Sequence, residues 1–205
     1  MKLDNTILVS LIVIATQGFE DLEKRLEKAI ASLQSRYAFF EILLIGTSGD
    51  AAVNGLVSHL GRSVPQLRVL QLEGESNFDR MAMQGYHECI GDAVVMSSAD
   101  EVGHVDLEAI VEHLRGGEEL VRLRRSRGNA LERFGSFIVR SVTGLHVDTR
   151  FLRTLGLNRR LLSELLARPE EIHLFRFTAH DFLSNHAVIV TDEPPARSGF
   201  GFFIG

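Results

Sequence analysis

The sequence predicts an α/β fold: one domain with a mostly parallel sheet flanked by helices. Two observations carry that expectation. Short runs rich in Ile, Val and Leu alternate with segments whose apolar residues recur at helical spacing. The 205-residue length also suits one core, with 45% hydrophobic and 24% charged residues excluding a disordered or fibrous chain.

The elements follow in order. Ile7–Ala15 is a nine-residue apolar run interrupted by Ser10, which reads as a strand buried on both faces. Glu20 to Arg36 carries Leu22, Leu26, Ile30 and Leu33 on one helical stripe. Phe39–Ile45 reads as a second strand, Gly46 to Asp50 as a loop, Ala51–Leu60 as a short helix and Leu67–Leu72 as a third strand. A helix over Asn77–Ile90 leads to a fourth strand, Asp92–Ser97. Beyond it the pattern gives a helix at Val105–Leu114, a strand at Glu119–Leu123, an amphipathic helix at Leu131–Val142, a helix at Arg159–Ala167 and a strand at His186–Thr191. We divide the chain into one domain over 1–197, its regular part over 1–100 and an elaboration over 101–197, and a Phe-rich tail over 198–205.

Several classes are excluded or disfavoured. A bilayer span needs about 20 apolar residues, and the run at Ile7 is followed by Thr16-Gln17-Gly18-Phe19-Glu20 rather than a cleavage site. The expected location is therefore cytoplasmic, free or peripheral to the inner face of the membrane. The lone Cys89 makes no internal disulfide. No G-x-G-x-x-G, P-loop, H-E-x-x-H or G-x-S-x-G pattern occurs, and no nucleic-acid partner is expected.

The net charge of −5 hides an asymmetry, because 19 arginines accompany only three lysines. Between Arg115 and Arg160, 11 arginines face four acids, a local charge of +7. Guanidinium forks suit phosphate and carboxylate; the alternative is a solvated basic face.

In open α/β sheets, ligands bind outside the carboxyl ends of the strands where strand order reverses. The segments placed there are Thr16-Gln17-Gly18, Gly46 to Asp50 and Ser97 to Glu101. They nominate Thr16, Gln17, Thr47, Ser48, Asp50 and Ser98 for a ligand cleft, with Asn77 and Arg80 after the third strand as further candidates.

The order of segments resembles family 2 glycosyltransferases with the GT-A fold, especially the dolichyl- or polyprenyl-phosphate sugar synthase branch. The likeness rests on the strand Val9–Ile14, on Glu41–Ile45, on Gly85 and Gly91–Met96, on Arg124-Arg125-Ser126-Arg127-Gly128 and on Thr143–Asp148. It implies transfer of a sugar from a nucleoside-diphosphate sugar to a hydroxyl or lipid-phosphate acceptor, in polysaccharide or lipid-linked biosynthesis. It further implies a divalent cation, Mg²⁺ or Mn²⁺, at Asp100, with Glu101 as a helper, or else an arginine cluster that neutralises the diphosphate without metal. Arg125 and Arg127 would stabilise the leaving diphosphate, and Asp148 would act as base. The helix at 131–142 would contact a membrane surface, cover the sheet or meet a dimer partner.

The sequence departs from that family at two places. Gly46 and Thr47 stand where two acids are usual, and Ser98-Ala99-Asp100 replaces Asp-x-Asp. One carboxylate with waters and substrate phosphates can still hold Mg²⁺. The loss of acids equally suits a catalytically inactive relative acting as a binding or partner subunit.

Overall fold

The computed structural model describes residues 3–16, 21–49, 51–74, 77–126, 151–168 and 185–191. Its elements are β1 (Asp4–Ala15), α1 (Leu22–Arg36), β2 (Tyr37–Thr47), α2 (Ala51–Ser63), β3 (Leu67–Leu72), α3 (Phe78–Glu88), β4 (Ala93–Ser98), α4 (Leu107–Arg115), β5 (Leu120–Arg125), β6 (Phe151–Asn158), α5 (Arg159–Leu166) and β7 (His186–Thr191).

The strands form one seven-stranded sheet in the order β3-β2-β1-β4-β6-β5-β7. All neighbours pair in parallel except β6, which is antiparallel to both β4 and β5. Because the side chains of a strand alternate between faces, the sheet builds two cores. On one side Val9, Leu11, Val13, Ile42, Leu44 and Val95 pack under α1, α2 and α4. On the other, Ile12, Ile14, Leu43, Ile45, Val94 and Met96 meet Met81, Ala82 and Tyr86 of α3 and Leu161, Leu162 and Leu165 of α5. Burial on both faces is why β1, β2 and β4 are continuous apolar runs.

Local chemistry sets the helix starts. Asn77, Asp106 and Asn158 cap α3, α4 and α5, each side chain accepting the backbone N–H three residues on. Gly85 lets α3 approach closely, since a Cβ there would stand 2.6 Å from Ile12 Cγ2.

The observed elements follow the expected alternation with corrections, one being that β5 runs on through Arg125 rather than ending at Leu123. β6 was not anticipated as a strand. β1 and β2 begin earlier and β2 ends later, so Gly46 and Thr47 belong to the strand rather than the loop. Ser98 closes β4 instead of opening the loop after it. The expected helix at 131–142 and the tail at 198–205 lie outside the described residues.

Candidate functional site

The sheet reverses its winding at β1. From β1 the chain moves outward through β2 to β3, then crosses back to place β4 on β1's other side. Register fixes what meets there: Ile14 pairs with Ser98, and Ala15 with Gly46. Thr16, Thr47 and the Ser98–Asp100 segment therefore emerge from three adjacent strands at one carboxyl edge. That is the crevice position expected of a ligand site in an open α/β sheet.

The segment after β4 is held from two sides. The Ala99 N–H continues the pairing with β1 by donating to the Ile14 carbonyl at 2.9 Å. From α1, Arg25 Nη1 donates to the carbonyls of Ala99 (3.2 Å) and Asp100 (2.8 Å), and Lys28 Nζ donates to that of Gly103 at 2.6 Å. Gly103 is required by this approach, because a Cβ would lie 2.8 Å from Arg25 Cβ. From β6, the N–H groups of Arg153 and Thr154 and the Thr154 hydroxyl all donate to the Glu101 carboxylate. Burial, the leading cause, pushes the Glu101 carboxyl above its ordinary pKa, against the lowering effect of these donors.

Glu101 is thus committed to β6, which corrects its expected role as a helper to a cation. Asp100 is different. Its Oδ1 is buried and has no hydrogen-bond partner, and the same is true of Ser98 Oγ. Buried polar atoms are normally satisfied, and these two stand unpartnered at and just beyond the carboxyl end of β4.

The other expected residues are placed as follows. Thr16 and Thr47 are half-buried and Ser48 is exposed, its N–H donating to the Leu72 carbonyl at 2.9 Å. Asn77 Oδ1 accepts the Arg80 N–H at 2.9 Å, so this residue caps α3 while Arg80 is exposed in the first turn. Arg125 is half-buried at the end of β5. Gln17, Asp50, Arg127 and Asp148 lie outside the described residues. No group of three or more His, Cys, Asp or Glu side chains suited to a metal is present among the described residues.

A Cβ on Gly46 would lie 2.7 Å from Val53 Cγ2, so α2 fills the space a longer side chain needs.

The described arginines of the arginine-rich stretch divide between the two edges of the sheet. At the amino edge Arg115 pairs with Asp4 at 2.8 Å, Arg159 donates to the carbonyls of Cys89 and Gly91, and Arg160 meets Glu119 and Glu164. Those arginines hold the fold. Toward the other edge stand Arg124, Arg125 and Arg153, with Arg122 Cζ 3.7 Å over the Phe151 ring within the sheet. The sequence alone does not place Arg153, because its position depends on β6.

The class defined by this topology is a GT-A-like α/β fold, and solved structures agree. A glucosyl-3-phosphoglycerate synthase from Mycobacterium tuberculosis, solved with phosphoglyceric acid, matches at 14% identity over 90% of this chain and 70% of its own, with a TM-score of 0.61. A mannosyltransferase from Pyrobaculum calidifontis, solved with GDP-Man and Mn²⁺, matches at 13% identity over 92% of this chain with a TM-score of 0.55, and this chain spans 57% of its length. A 4-diphosphocytidyl-2C-methyl-D-erythritol synthase from Anaerococcus prevotii matches at 10% identity over 89% of this chain and 86% of its own, with a TM-score of 0.57. At these identities the likeness is one of fold. No family model matches the chain, and no curated protein matches it.

Proposed function

We propose that this protein is a nucleotide-sugar-dependent glycosyltransferase with a reduced acidic motif, of the family 2 type. The observation that carries the reading is the buried, unpartnered Oδ1 of Asp100 at the switch point between β1 and β4. An anionic oxygen held there without a donor suits a divalent cation, and Mg²⁺ commonly binds one or two carboxylates together with substrate phosphates. The solved neighbours that carry GDP-Man and Mn²⁺ or phosphoglyceric acid lend support to a phosphorylated, sugar-bearing substrate.

In this reading Asp100 holds Mg²⁺ or Mn²⁺, which would neutralise charge on the donor diphosphate. Arg25 and Lys28 fix the backbone that presents Asp100. Thr16, Thr47 and Ser48 would face the nucleotide, with Ser98, Asn77 and Arg80 on the α3 side; Gln17 and Asp50 are assigned to the nucleotide from the sequence alone. Arg125 and Arg127 stabilise the leaving diphosphate. Asp148 takes the proton of a hydroxyl acceptor, whereas a lipid-phosphate acceptor is already ionised and needs only positioning. Such an acceptor, as in the polyprenyl-phosphate synthases, would bring the protein to the inner face of a membrane through residues 131–142. No helix among the described residues is long and apolar enough to cross one.

A second reading has its own observation. Val53 closes the acid position at Gly46, and Glu101 is spent on β6. Both suit a partner subunit that kept the sheet and lost catalysis. Calorimetric titration with UDP, GDP, CDP and dTDP, each with and without Mn²⁺ or Mg²⁺, separates the two. The transferase binds one of them in a metal-dependent manner that Asp100→Asn abolishes. Absence of binding to all four leaves the partner subunit.

A further inference from the structure

We propose that Thr154 of β6 is a positioning residue for Asp100: its buried hydroxyl links Ser97 of β4 to the Glu101 carboxylate and so holds the turn in which Asp100 stands. The cation that Asp100 would bind rests on the transferase reading, whereas this hydrogen-bonded row does not.

Antiparallel pairing supplies the geometry. Because β6 runs against β4, its first residues lie beside the carboxyl end of that strand, and Met96 pairs with Leu155. One step further on, Ser97 Oγ and Thr154 Oγ1 are 2.7 Å apart, and both residues are fully buried. Thr154 Oγ1 also donates to Glu101 Oε2 at 2.7 Å. A hydroxyl has one proton to give, and Thr154 gives its own to Glu101. The contact with Ser97 is therefore a donation from Ser97, and the row runs from Ser97 through Thr154 to Glu101.

That row brackets Asp100 on both sides in the sequence. The Ser98 carbonyl receives the N–H groups of Glu101 and Val102, each at 3.0 Å, which closes a turn over Ser98–Glu101 with Asp100 at its third position. Ser97 Oγ has a second acceptor within reach, the same Ser98 carbonyl at 3.3 Å. While Thr154 accepts the Ser97 proton, that carbonyl is left to the turn. Without the Thr154 hydroxyl, Ser97 swings to the Ser98 carbonyl and competes for it. The Glu101 carboxylate meanwhile loses one of its three donors.

From α1, Arg25 holds the Asp100 carbonyl independently of β6. The Asp100 side chain, with Oδ1 buried and unpartnered, takes its direction from the turn. Outer partners that orient a ligating group set its affinity without touching what it binds. Thr154 holds that place for Asp100, acting through Glu101 on one side and Ser97 on the other.

Amide hydrogen exchange over residues 99–104 and calorimetric titration, both on the whole chain, provide the test. The titrants are UDP, GDP, CDP and dTDP, each in Mn²⁺ or in EDTA. Thr154→Val keeps the side-chain shape and removes the hydroxyl. Exchange at the Glu101 and Val102 N–H groups then rises roughly 10-fold, the worth of one hydrogen bond. The metal-dependent part of nucleotide affinity falls roughly 10-fold, while binding in EDTA is unchanged. Thr154→Ser, which restores the hydroxyl, restores both readouts. Far-UV circular dichroism and melting check folding, and Thr154→Ala replaces Thr154→Val if the latter unfolds. Unchanged exchange in the folded variant, faster exchange with the metal dependence intact, or failure of Thr154→Ser to restore the turn overturns the positioning role. Faster exchange that Thr154→Ser reverses, in a protein that binds no nucleotide, sustains the role of Thr154 in the turn and sinks the transferase.

Discussion

Glu101 and Thr154 are joined twice, through the Thr154 N–H at 2.8 Å and its hydroxyl at 2.7 Å, both donating to Glu101 Oε2. The Arg153 N–H donates to the other oxygen at 3.1 Å. One side chain thereby ties the segment that carries Asp100 to a strand more than fifty residues away. With Arg25 pulling on the Asp100 carbonyl from α1, the segment is fixed before any ligand arrives. Fixed geometry lowers the ordering cost of binding.

Removing that tie is expected to be expensive. Glu101→Ala leaves two backbone donors unsatisfied in a buried setting, at about 1–3 kcal/mol for each orphaned group, while the Thr154 hydroxyl keeps Ser97 Oγ at 2.7 Å. Water entering the gap recovers part, so we expect a net loss of about 3 kcal/mol in urea denaturation. Glu101→Gln keeps an acceptor and loses about half as much. Equal stability of all three proteins would show that the carboxylate does not anchor β6.

How much of this was legible in the sequence depended on whether an element's signal lies within its own residues. β1, β2 and β4 are buried on both faces, so their continuous apolar runs declare them. The bounds of β3 and β7 match the expected ones. β6 is different: Arg153, Thr154 and Gly156 interrupt its apolar pattern, and Gly156 is there because a Cβ would meet Ile110 of α4 at 2.4 Å. That requirement comes from packing across the fold and leaves no local mark. Glu101 was misread for the same reason. Its type and place beside Asp100 suggested a cation, while the donors it serves belong to the strand that could not be seen.

The close approach of Gly46 and Val53 gives a second test. Gly46→Ala puts a methyl carbon at 2.7 Å from Val53 Cγ2, and overpacking of this kind costs about 1–3 kcal/mol. Val53→Ala alone leaves a cavity, while the double variant Gly46→Ala/Val53→Ala recovers part of the loss. The coupling energy from a double-mutant cycle is therefore favourable and at least about 1 kcal/mol. Additive losses would show that α2 does not set the size limit at the end of β2.

Cys89 closes α3, is buried, and has a thiol pKa pushed up by that burial despite the nearby Arg159 guanidinium. Thiolate is the reactive form, so a disulfide reagent at pH 8 is expected to modify it only through opening of the fold. The measured rate should rise with urea in step with unfolding and match neither a free thiol nor an exposed one. Fast, urea-independent labelling would contradict the packing of α3 against the sheet.

Tyr37 opens β2 with a buried hydroxyl that has no hydrogen-bond partner. Burial first, then the negative charges of Glu112 and Glu108, push its pKa up to about 12 from an ordinary 10. The folded state thus resists ionisation more than the unfolded chain does. Its advantage is complete below pH 10 and is lost as pH rises from there to about 12. Two units correspond to about 3 kcal/mol at the alkaline limit. Tyr37→Phe removes the orphaned hydroxyl and this titration together. It is expected to equal or exceed the wild type at pH 7, by up to about 1 kcal/mol, and to fall less steeply above pH 10. Absorbance at ~295 nm should show one phenol titrating near the upper value in the wild type and missing in the variant. A destabilised Tyr37→Phe at pH 7 would mean that the hydroxyl holds a partner after all.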